Sequence, residues 1–182
     1  LADNINTYKR YTFSDVLFLR LKLNNSPPFF GGQVIKLTSD TCELNTAYGL
    51  AAPYESFQAT YTDVEVINCT VNERLLFKGI LKGSLKVRGG EVNKNYFAKL
   101  IEITNGNTGT VATSVSVEHM SFSVVGGDGN LLIASADTKP INAKVLYNSF
   151  RITPLFNVGT GGTLEYNFNS PSSKKKTVTA GF

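Results

Sequence analysis

The chain has 182 residues, 42% of them hydrophobic and 18% charged, which suffices for one well-buried domain and falls short of two. Its net charge of +4 falls to +1 without Lys174, Lys175 and Lys176, so the overall basicity is a local feature and does not by itself argue for nucleic acid. Thr, Asn and Ser supply 49 residues, a mix that disfavours a helical protein and suits strands and turns.

In chain order, residues 1–12 read as an N-terminal arm and 13–182 as a single domain. "VLFLRLKLN" alternates, with Leu17, Leu19, Leu21 and Leu23 on one side and Phe18, Arg20 and Lys22 on the other, the period of a half-buried strand. "SPPFFGG" interrupts it, because tandem Pro cannot continue a ladder. "QVIKL" is the next expected strand. The stretch from Thr38 to Ser56 lacks a clear period and reads as the longest loop, with room for a short helix over Cys42 to Tyr48.

A long strand pattern runs from Phe57 to Val71. "LLFKGILKGSLKVRGG" and "NYFAKLIEI" follow, parted by a turn at Gly89-Gly90. "TNGNTG" reads as a hairpin signal. In "TVATSVSVEHMSFSVV" the apolar set shifts from odd positions (Val115, Val117) to even ones (Met120, Phe122), which predicts a β-bulge near Glu118-His119. "GGDGN" reads as another turn, and "LLIASA", "INAKVLYNSFRIT", "TLEYNFN" and "TVTAGF" complete the strands. No internal repeat is evident. Strands without interleaved helices predict an all-β fold, an antiparallel β-sandwich of jelly-roll or related Greek-key topology.

Catalytic chemistry has little to work with. The one histidine, His119, lies mid-strand, and no G-x-S-x-G elbow accompanies it. Cys42 and Cys69 are too few for a disulfide scaffold and too isolated for a zinc site, and read as buried free thiols. Asn68-Cys69-Thr70 fits a glycosylation sequon within a strand. Asp128 and Asn130 are too few ligands for calcium, and "GTGG" at 159–162 lacks the helix and Lys of a phosphate loop. No enzyme activity, metal or cofactor is expected, and no apolar run is long enough to span a membrane.

Two basic features remain. Lys78, Lys82, Lys86 and Arg88 occupy even positions of a strand whose odd positions are Leu81, Leu85 and Val87, so all four cations project from one face. They form a candidate polyanion site for nucleic acid, sulfated glycan or lipopolysaccharide, against the alternative of a solvated or Lys-protected sheet. Lys174, Lys175 and Lys176 form a second basic candidate and also fit a soluble turn between two strands.

A weakly charged, Thr/Asn/Ser-rich all-β domain with a phase-shifted strand and an N-terminal arm resembles virus and bacteriophage structural proteins of the jelly-roll type. The resemblance covers the whole chain as a pattern and rests on no single motif. It implies a non-enzymatic capsid, spike or fibre-head subunit of the virion. Its partners would be copies of itself in a symmetric assembly, other particle proteins, and a host glycan or nucleic acid. The alternative is a carbohydrate-binding module or adhesin, extracellular or at a cell surface, with Tyr48, Tyr54 and Tyr61 standing in for absent Trp.

Overall fold

The computed structural model describes residues 12–24, 32–45, 50, 60–72, 75–93, 99–104, 113–123, 131–135 and 140–170. These form fourteen strands in one sheet, and every pairing is parallel. The chain is all-β, but it is a β-solenoid, and the expected antiparallel β-sandwich with jelly-roll or Greek-key topology is overturned.

Seven rungs follow one another. Rung 1 holds β1 (Thr12–Leu19) and β2 (Lys22–Asn24); rung 2 holds β3 (Gln33–Asp40) and β4 (Glu43–Asn45). Rungs 3 and 4 are the single long strands β5 (Thr60–Val71) and β6 (Phe77–Val92). Rung 5 holds β7 (Lys99–Thr104), β8 (Thr113–Glu118) and β9 (Ser121–Phe122). Rung 6 holds β10 (Leu131–Ser135), β11 (Ile141–Leu146) and β12 (Ser149–Phe150), and rung 7 holds β13 (Leu155–Asn157) and β14 (Thr163–Asn167). Stacked in register, they make three strips. The first runs from the start of β6 through β7 and β10 to β13. The central strip runs β1-β3-β5-β6-β8-β11-β14. The third runs from β2 and β4 through the ends of β5 and β6 to β9 and β12.

Alternation sets the inward face. On the central strip one inward column reads Val16, Leu37, Val64, Leu85, Val115, Ala143, Leu164. From Leu37 to Leu164 every member is buried. Period two is common to parallel and antiparallel strands, which is why the same pattern predicted the wrong sheet.

The chain turns from the central to the third strip at one left-handed residue. Arg20, Thr41, Asn68, Gly89, His119, Tyr147 and Phe168 have φ between 50° and 64°, and the flanking registers stack them in one column. Positive φ is uncommon for a residue with a Cβ and costs roughly 1 kcal/mol or more. Here the ladders on either side impose it. The phase change around His119 is this corner, not a β-bulge: Val117 and Met120 both point inward because the corner consumes one residue. Glu43–Asn45 is a strand and does not belong to the helix expected over Cys42 to Tyr48, whose remainder lies outside the described residues. Gly89-Gly90 lies inside β6 and does not end it. "TNGNTG" after Thr104 and all of "GGDGN" lie outside the described residues, but the strands they connect do not pair, so neither joins a hairpin.

The corners also reveal the repeat that the sequence reading missed. "RLKLN", "TCELN", "NCTVN", "GGEVN", "HMSFS" and "YNSFR" each run corner, in, out, in, out. Successive corners are 21, 27, 21, 30, 28 and 21 residues apart, so no fixed period betrays them. The fifth position carries an asparagine ladder: Asn45 Nδ2 donates to Asn24 Oδ1 (3.1 Å), Asn72 Nδ2 to Asn45 Oδ1 (2.7 Å) and Asn93 Nδ2 to Asn72 Oδ1 (3.3 Å).

A left-handed corner leaves the next N–H and a nearby C=O without ladder partners. The inward residue of the following rung supplies them. Asn148 Oδ1 accepts from Met120 N (2.9 Å) while its Nδ2 donates to Val117 O (2.9 Å). Asn169 repeats this one rung later, accepting from Asn148 N (2.9 Å) and donating to Val145 O (2.8 Å). Cys69 does the same with sulfur, accepting from Cys42 N (3.3 Å) and donating to Ser39 O (3.3 Å). Both cysteines are buried free thiols, and burial pushes the Cys69 thiol pKa up. At Gly90 the backbone itself closes the gap, since Cys69 and Gly90 remain paired through the corner.

Near the C-terminal end, Tyr166 packs edge-on against Phe156 at 5.6 Å. Its hydroxyl is buried and has no hydrogen-bond partner among the described residues, and desolvation raises its pKa. Tyr166→Phe is therefore expected to stabilise the protein by about 1 kcal/mol, because an unsatisfied buried hydroxyl is removed. A lowered thermal midpoint would contradict this.

Candidate functional site: a polar groove across three rungs

The basic row lies where the alternation put it, on the outer side of β6, but it does not stand alone. Lys78 is half-buried beside Glu102, at 3.6 Å. Lys86 is flanked in register by Glu65, and Arg88 by Glu118. Lys82 is exposed at the irregularity where Asp63 pairs with Ser84. A polyanion laid along the row would meet three carboxylates with its four cations. Lys174, Lys175 and Lys176 lie outside the described residues.

The register joins Lys86 to residues that the sequence separates. On the outer face of the central strip, Lys36, Asp63 and Ser84 form one column, and Thr38, Glu65 and Lys86 the next. Lys36, Asp63, Glu65, Ser84 and Lys86, with Leu37 and Val64, line a groove of about 370 Å³. Neighbouring rungs are roughly 4.8 Å apart and outward residues on one strand roughly 6.6 Å apart, so four charges share a small area.

Asp63 is built in. Ser84 Oγ donates to its Oδ1 at 2.7 Å and Ser84 N at 3.1 Å. Gly83 makes the approach possible, because a Cβ there would lie 2.6 Å from Thr62 O and 2.9 Å from Asp63 Oδ1. Lys36, Glu65 and Lys86, in contrast, make no ion pair with one another, although opposite charges are register neighbours. Their donors and acceptors face solvent. Below the groove the columns continue as Ser114, Asn142 and Thr163, and as Ser116, Lys144 and Glu165. Thr163 Oγ1 donates to Asn142 Oδ1 at 2.9 Å, and Lys144 approaches Glu165 at 3.6 Å.

The outcome is a track of hydroxyl, amide, ammonium and carboxylate groups with donors and acceptors side by side. It suits a polyhydroxylated ligand better than a uniformly charged one. Aromatic platforms play no part in the groove: Tyr61 is buried, with its hydroxyl donating to Leu50 O at 2.9 Å, and Tyr48 and Tyr54 lie outside the described residues. His119 is exposed at its corner and stacks on Tyr147 at 5.1 Å. Among the described residues no cluster of three or more His, Cys, Asp or Glu could hold a metal, and no helix is long and apolar enough to cross a membrane. The residues missed by sequence reasoning are Lys36, Asp63, Glu65 and Ser84; only the rung register brings them together. No family model, curated protein or solved structure matches the chain.

Proposed function

We propose that the chain is a non-enzymatic structural protein of a virus or phage particle, a fibre or spike segment that assembles with copies of itself and contacts host-surface glycan through the central-strip groove. The observation that carries this reading is the groove itself, with Lys36, Glu65 and Lys86 free of mutual ion pairs beside a carboxylate fixed by Ser84. Carboxylates accept from sugar hydroxyls, and ammonium and hydroxyl groups donate to them. β-Solenoids occur in some phage fibres, and a rigid stack of rungs suits an elongated virion part. A free-standing carbohydrate-binding module at a cell surface is the second reading; it shares the groove and omits the assembly.

A glycan panel tests the function. The full chain is expected to retain a subset of neutral or mixed-charge polysaccharides, and Glu65→Gln combined with Lys86→Gln should weaken retention at least tenfold. The fold should be kept, because Lys86 is exposed and both side chains lie outside the core. Retention of none of the panel would overturn the glycan reading. Release of new reducing ends would overturn the non-enzymatic one.

A further inference from the structure

We infer that copies of this chain stack head to tail, rung 7 of one copy pairing in parallel register with rung 1 of the next. The inference rests on the self-assembly in the proposed function and specifies its interface. Among the described residues, β1 pairs only with β3 and β14 only with β11, so each end of the described stack is an edge strand. Such edges are templates for further pairing unless they are blunted. The rung 1 end is apolar rather than blunted: Leu17, Leu19 and Leu21 are 62%, 51% and 43% exposed. Val16 is only partly buried, in a column whose rung 2 member, Leu37, is fully buried.

The occupant follows from what the columns would place opposite. Continued in register, Leu164 meets Val16, extending that inward column. At the corner, Phe168 meets Arg20. Phe168 is 74% exposed and ends a stack of rings, lying 4.9 Å from Tyr147 with planes 5° apart. Arg20 and Phe168 share the left-handed corner conformation, with φ of 54° and 56°. The guanidinium can therefore lie over the open ring face as the next layer of the same stack. On the outer face Glu165 meets Leu17. The contact joins unlike ends, so it is heterologous and does not close on itself. It gives a filament with an axial repeat of roughly 34 Å, seven rungs of roughly 4.8 Å.

The register makes the sign of each change specific. Leu17→Glu would set a carboxylate against Glu165 and should weaken association at least tenfold. Leu17→Lys at the same exposed position should strengthen it. Phe168→Lys, set against Arg20, should block the other end. Sedimentation velocity and electron microscopy of the full chain read these outcomes, with thermal midpoints as the control for folding. The decisive experiment mixes Leu17→Glu with Phe168→Lys. Each is expected to be monomeric alone, and the mixture to form one-to-one dimers through the two intact ends. A monomeric wild-type chain at 100 μM (about the upper range for a weak contact) would remove self-assembly altogether. Wild-type filaments with equal effects of Leu17→Glu and Leu17→Lys, or a mixture that stays monomeric, would overturn this interface and leave assembly by another surface.

Discussion

Gly90→Ala is expected to destabilise the solenoid by about 3 kcal/mol or more. Two effects combine. Gly90 has φ of 91°, a conformation that a side chain disfavours. A Cβ there would also overlap Cys69 O and lie 2.7 Å from Cys69 N. Both contacts are backbone, held by the pairing that carries the ladder through the corner, so neither can move aside cheaply. Gly161→Ala separates the two effects: φ is 78° there, but nothing lies within 4 Å of the added atom. Chemical denaturation should show a loss near 1 kcal/mol for Gly161→Ala and several times that for Gly90→Ala. Equal losses would mean that the close approach of rungs 3 and 4 is not a constraint.

Asn148→Leu should cost about 3 to 5 kcal/mol, although leucine is similar in size and the site is 2% exposed. The change strands Met120 N and Val117 O, which the side chain bridges, and removes a donor from Asn169 Oδ1 at 3.0 Å. Buried backbone groups without partners account for the expected loss. Asn148→Cys should lose clearly less, because Cys69 already performs the same double bridge at rung 3 with a weak S–H donor. Unfolding free energies in the order wild type, Cys, Leu check this. If leucine were tolerated as well as cysteine, the bridging role of the inward corner residue would be wrong.

The strands themselves were legible. Period-two patterns located β1, β3, β5, β6 and β8, and parity correctly sent Lys82, Lys86 and Arg88 outward. Strand direction was not legible, since parallel and antiparallel ladders ask for the same alternation. The repeat hid for two physical reasons. The corner conformation is imposed by neighbouring rungs, so Arg20, Asn68, His119 and Phe168 occupy one position without chemical likeness. Coil length also varies, from 21 to 30 residues, which defeats a search at one period. The invariant feature was the short pattern seen in "TCELN" and "NCTVN", and recognising it would have predicted the Asn45–Asn72 contact. The groove was out of reach for the same reason: Asp63 and Ser84 are 21 residues apart and become neighbours only once the pitch is known.

That uneven pitch divides the molecule into a fixed half and a permissive half. From Val16 to Leu23, Leu37 to Leu44, Val64 to Val71, Leu85 to Val92, Val115 to Phe122 and Ala143 to Phe150 the interval never changes, and all variation in coil length falls elsewhere. A deletion inside the fixed half would swap inside for outside along the remaining strand. A change in the length of the connection between two rungs, in contrast, leaves this seven-residue interval untouched. Groove and corner are thereby insulated from changes in connecting length. The outward chemistry of the central strip is thus set by a spacing that the connections between rungs do not share, so the two can diverge independently along one chain.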